Sequence, residues 1–91
     1  MTAPPAGLSL QPTPGGLLVE GSGGREIGFG RAQAGALAAA ARVEGRAPRA
    51  VLCGAGREAF AAAGGLRLVF EGGRFVGWKS DTGRAGRICD G

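Results

Sequence analysis

Two stretches of this sequence place residues where they could do chemistry. The first is AVLCGAGREAF at 50–60, where an expected strand runs into Gly54-x-Gly56-x-x-Ala59. That is the G-x-G-x-x-A form of a dinucleotide fingerprint: its glycines admit a pyrophosphate, and the following helix offers amide donors. Glu71 ends the next expected strand, where a ribose-binding acid would stand. Cys53, at the foot of the same turn with Arg57 near in sequence, has the setting of a lowered-pKa thiol. The second stretch holds Trp78 with Arg67, Arg74 and Lys79, a candidate stacking platform for single-stranded nucleic acid.

Simpler readings fit both stretches better. A helix over 56–63 has two turns at most, whereas a βαβ crossover takes a dozen or more residues. Gly54 and Glu71 are 17 positions apart (71 − 54), short of the usual ~20. The motif is then a glycine turn between a strand and a short helix, and Cys53 a buried structural residue. A second glycine cluster, GFGRAQAG at 28–35, lacks the Gly-Lys-Ser/Thr of a phosphate loop, so Gly30 reads as the N-cap region of a helix placed by Phe29. One aromatic makes a poor stacking platform, and Trp78 reads better as a cap on the sheet or a contact for a protein partner.

Composition removes other chemistries. The sequence has no histidine and no tyrosine, which excludes Ser-His-Asp triads, histidine acid–base catalysis and histidine metal sites. Its carboxylates (Glu20, Glu26, Glu44, Glu58, Glu71, Asp81, Asp90) show no paired hydrolase spacing. Two cysteines cannot complete a zinc site. Cys53 and Cys89 are expected as free thiols in a reducing compartment, with a bridge, which would require export, as the alternative. The N-terminal MTAPPAGLSLQP has neither a basic nor an apolar leader segment, and no apolar run reaches membrane-spanning length. Cytoplasmic placement is the expectation. The net charge of +4 comes from 11 bases and 7 acids. The bases are spread from Arg25 to Arg87 without a run, so nucleic acid is an allowed partner but not the favoured one.

The elements that must position these residues fit one small domain. Residues 1–6 read as a disordered lead-in, 7–80 as the domain and 81–91 as a polar, glycine-rich tail. GLSL at 7–10 reads as a strand ended by QPTPGG. LLVE at 17–20 and REIGF at 25–29 form a hairpin, with Glu20 opposite Arg25 and Leu18 opposite Ile27. A helix follows over 31–44, stopped by Gly45 and Pro48, then a strand at 49–53. GLRLVFEGGRFVGW at 65–78 is the strongest signal. If Gly72 and Gly73 form a two-residue turn, Glu71 opposes Arg74, Phe70 opposes Phe75, Val69 opposes Val76 and Arg67 opposes Trp78. Leu66, Leu68, Phe70 and Phe75 then make the core face. Arg67, Val69, Arg74, Val76 and Trp78 make an outer interaction face, with Arg67 stacked on Trp78.

CGAG at 53–56 followed by GGLRLVFEGGRFVGW at 64–78 resembles a group of small bacterial proteins, chiefly alphaproteobacterial. They share a C-G-A-G turn and then G-L-x-L-x-F-x-x-G-x-F-x-G-W. IGFGRAQAGALAAAARVEGRAP is similar to their strand-to-helix segment, so the resemblance covers roughly residues 17–79. It implies a helix packed on an antiparallel sheet and assigns no catalytic residue. Some members carry names borrowed from aspartate-semialdehyde dehydrogenase, an activity for which this sequence has neither the histidine nor a cofactor domain. The group continues with a second αβ half, so the resemblance implies a half-length version here.

The expectation is an α+β domain: an antiparallel sheet of about five or six strands, packed against the helix at 31–44. The expected function is non-catalytic, without cofactor or metal: a structural or interaction module for a protein partner or a second copy. The alternatives are a nucleotide-binding or redox module using Gly54, Gly56 and Glu71, and a weak nucleic-acid-binding domain.

Overall fold

A computed structural model describes residues 9–21, 24–54 and 56–89. Its elements run β1 (Ser9–Thr13), β2 (Gly16–Glu20), β3 (Glu26–Gly28), α1 (Gln33–Glu44), β4 (Arg49–Gly54), β5 (Arg57–Ala61), a 3-10 turn (Ala63–Gly65), β6 (Arg67–Glu71), β7 (Arg74–Lys79) and β8 (Arg84–Gly86). The α+β class and the main helix are as expected. The strands form two antiparallel sheets rather than one, in the orders β1-β2-β3 and β4-β5-β6-β7-β8. The helix intervenes in the chain between them, so the second set of hairpins builds its own sheet. The lead-in at 1–6 lies outside the described residues.

Each local difference from expectation has a physical reason. Pro12 sits inside β1 instead of ending it, which an edge strand tolerates because it leaves one flank unpaired. In the next hairpin Leu17, not Leu18, opposes Ile27. This register brings Leu17 and Ile27 together on the buried face, at 0% and 1% exposure. The segment at 57–61 is a strand, not a helix. Its residues have helical propensity, but five of them are too few to nucleate a helix against two flanking strands that offer hydrogen bonds.

The Gly72–Gly73 hairpin forms as expected, with positive φ at both residues (59° and 76°) and with Glu71↔Arg74 and Phe70↔Phe75 pairing. Beyond that the register shifts. Val69 faces Gly77, Leu68 faces Trp78 and Arg67 faces Lys79, leaving Val76 as the extra residue of a bulge. The bulge turns Trp78 from the outer face to the core face. There it joins Leu66, Leu68, Phe70 and Phe75, together with Leu17, Val19 and Ile27 of the small sheet and Ala36, Ala40 and Val43 of the helix. Phe29, Phe75, Phe70 and Phe60 run through this core as a chain of ring contacts 5.0–5.7 Å apart, each worth about 0.5–1.5 kcal/mol beyond its buried area.

The hairpin tip also holds the helix. Ala32, at the N-cap, offers no side-chain cap. The first helical amide, that of Gln33, donates instead to the Gly73 carbonyl at 2.8 Å, while the Phe75 amide donates to the Arg31 carbonyl and the Gly30 amide to the Phe75 carbonyl. The expected helix start at 31 and cap near Gly30 are thus displaced by two residues, because 30–32 pair with β7. Gly45 ends the helix in a left-handed cap, as expected. The small sheet is tied on by the Trp78 indole, whose Nε1 donates to the Thr13 carbonyl at 2.7 Å.

Candidate functional site

The outer face of the five-stranded sheet has two parts. Across its middle lies the C-terminal segment, expected as a tail but built into the domain. β8 pairs with β7 through Gly86↔Gly77, and the Arg87 amide donates to the Val76 carbonyl at 2.9 Å. Arg87 Nη1 reaches Glu71 Oε2 on β6 at 3.0 Å, Arg57 Nη1 on β5 donates to the Ile88 carbonyl at 3.0 Å, and Cys89 is bonded to Cys53 on β4. Residues 86–89 therefore form a strap from one sheet edge to the other. Gly77 makes the crossing possible, because a Cβ there would fall on the Arg87 backbone. Val69 and Ala59, on this face, are 1% exposed.

The strap decides several expectations. The cysteines are bridged, with Cα atoms 4.8 Å apart, not free, so Cys53 presents no thiolate. Glu71 is enclosed by two arginines, with Arg57 Nε donating to its Oε1 at 2.7 Å. Chiefly that hydrogen bond holds its carboxyl below the ordinary glutamate range, against partial desolvation and with help from the Arg87 charge. The Arg74 side chain, though its residue faces Glu71 across the hairpin, forms no ion pair with it and donates from Nη1 to the Gly30 carbonyl at 3.3 Å. The dinucleotide reading loses its premise: Gly54 and Gly56 join two strands, no helix follows them to supply amides, and Glu71 already serves two arginines. Among the described residues no three metal-ligating side chains cluster.

The expected interaction face does not form. Trp78 is 7% exposed and Val69 1%, because the bulge faces Trp78 inward and the strap covers the row that holds Val69. Arg67 faces Lys79 and not Trp78, so no stacking occurs.

What the sheet does assemble is a row of cations beside the strap. Arg49 pairs with Ala61, Ala61 with Arg67, Arg67 with Lys79 and Lys79 with Arg84, one residue from each of the five strands. Cross-strand partners project from the same face, at strand spacings of about 4.8 Å. Arg49, Arg67, Lys79 and Arg84 are therefore exposed in one line roughly 19 Å long. None has a carboxylate within ion-pairing distance among the described residues. Asp81 shares a cleft with Arg67 and Lys79, but its carboxylate lies against Gly65. Glu44 shares another with Arg46 and Arg49, and accepts from the Ala63 amide at 3.2 Å. Like charges directly opposite one another destabilise a sheet, so the Arg67–Lys79–Arg84 run opposes folding.

Sequence reasoning singled out Arg67 and Lys79 but missed Arg49 and Arg84. The sequence signal is faint: each base is the terminal residue of its strand, and only the pairing of five strands lines them up. No family model, curated protein or solved structure matches this chain. Among the described residues no helix is long and apolar enough to cross a membrane.

Proposed function

We propose that this protein is a small non-catalytic interaction module that docks on a polyanionic partner through Arg49, Arg67, Lys79 and Arg84. The observation that carries the reading is the uncompensated row. A local conflict kept in an otherwise consistent fold is expected where a site needs it, and an anionic partner would relieve this one. Arg46, which shares a cleft with Arg49, extends the positive surface at the β4 end. Glu71 neutralises part of the charge at the strap, so the field is concentrated along the row.

The expectation of a cytoplasmic protein meets a competing observation in the Cys53–Cys89 bond. Such bonds persist in oxidising compartments, and we place the working form there.

The test is retention on immobilised heparin along a salt gradient. Wild type should be retained at 50 mM salt, and the double variant Arg67→Gln/Lys79→Gln should elute much earlier. Arg42→Gln, on the helix, should elute with wild type. Failure of wild type to bind, or co-elution of the double variant with it, would remove the proposal.

A further inference from the structure

Resting on that reading, we infer that the anion is the sugar-phosphate backbone of a duplex nucleic acid, bound without sequence preference. Three features of the face favour it. First, the cations stand on paired strands and not on loops, so their backbone positions are set before any ligand arrives. A duplex is equally stiff, with a persistence length of about 50 nm, and carries one phosphate per ~1.7 Å of axis. The length of duplex alongside a row of roughly 19 Å therefore carries about eleven charges on its two strands, from which four cations can find partners without ordering a flexible chain.

Second, the face offers nothing on which a base could stack. Trp78, Phe70 and Phe75 are buried at 7%, 0% and 0% exposure, and Phe60 and Phe29 pack against the core. Single-strand binders draw 1–3 kcal/mol per base from exposed aromatics, and this row has none. Third, it lacks the apolar residues that would insert into a lipid surface. The one large hydrophobic residue exposed among the described residues is Leu52, on β4. Of the row's polar neighbours in its cleft, Ser80 suits a hydrated contact with phosphates, while the Asp81 carboxylate, which lies against Gly65, opposes one.

The experiment is anisotropy titration of the intact, disulfide-bonded protein with a labelled 20-base-pair duplex and with a single strand of the same length, from 50 to 200 mM salt. Heparin and vesicles containing anionic lipid serve as competitors. With four phosphate contacts the slope of log K against log salt should be about −3.6, a loss of roughly 150-fold over that range. Arg67→Gln/Lys79→Gln should halve the slope to about −1.8. Both side chains are exposed and in no ion pair among the described residues, so this variant should fold. Two duplexes of unrelated sequence should bind alike. Tighter binding of the single strand, or binding of heparin or vesicles with no duplex binding, would overturn the duplex assignment and leave the polyanion reading standing. Failure of every anion would overturn both.

Discussion

Trp78 provides the sharpest test of the packing, because the plain hairpin register would leave its replacement nearly harmless. In the structure its ring fills the junction of the two sheets, and its Nε1–H satisfies the Thr13 carbonyl at 2.7 Å. Replacing a buried tryptophan by alanine costs about 3–5 kcal/mol in transfer and cavity terms. The lost hydrogen bond adds about 1 kcal/mol. A 91-residue chain has roughly 5–14 kcal/mol in total, and a small glycine-rich domain belongs near the lower end. Trp78→Ala should therefore cost about 4–6 kcal/mol and lower the melting temperature by about 16–48 °C at 4–8 °C per kcal/mol, or leave the chain unfolded. Trp78→Phe keeps most of the ring and loses the indole donor, so it should cost only about 1–2 kcal/mol. Because Trp78 is the single tryptophan, its fluorescence reports the same site: native emission should be blue-shifted and move red in denaturant. Melting of Trp78→Ala within about 3 °C of wild type, at roughly 4–8 °C per kcal/mol, would refute the bulge and the inward-facing ring together.

Four further outcomes follow from the same geometry. Removing the disulfide by Cys53→Ala/Cys89→Ala frees a loop of sequence separation 36, which chain entropy values at about 4 kcal/mol; equal melting of oxidised and reduced protein would show that the strap constrains nothing. Gly77→Ala pushes on the Arg87 backbone and should cost about 1–3 kcal/mol, with faster hydrogen exchange of the Arg87 amide. Gly83→Ala, where a Cβ would make ordinary 3.7 Å contact with the Trp78 ring, is its control. Glu71 has a lowered folded-state pKa, so its contribution is present above the unfolded-state pKa and disappears as pH falls through the lowered one. The stability gap between wild type and Glu71→Gln should thus be constant near neutrality and close in acid, and a gap that widened in acid would contradict the Arg57–Glu71–Arg87 assignment. Lys79→Glu replaces two like-charge neighbours by two opposite-charge ones, and should raise stability by a few tenths to about 1 kcal/mol while weakening polyanion binding.

The elements were largely legible in the sequence because their signals are local. Gly72 and Gly73 specify a two-residue turn whatever surrounds them, Gly45 and Pro48 stop the helix, and the absence of histidine removes whole reaction classes without reference to structure. Reasoning failed where a neighbour in space outweighed a neighbour in sequence. Arg57–Ala61 became a strand because flanking strands completed its hydrogen bonds. One bulged residue, Val76, sent Trp78 inward and dissolved the expected interaction face, since side chains alternate and a single insertion reverses every residue beyond it.

The sequence by itself thus determined the α+β class, the main helix and the central hairpin, each written in contiguous residues. Tertiary structure alone decided the strap, the Cys53–Cys89 bond and the line of Arg49, Arg67, Lys79 and Arg84. Those four bases lie up to 35 positions apart along the chain (84 − 49) and become neighbours only through strand register, which depends on how the core packs and not on the bases themselves.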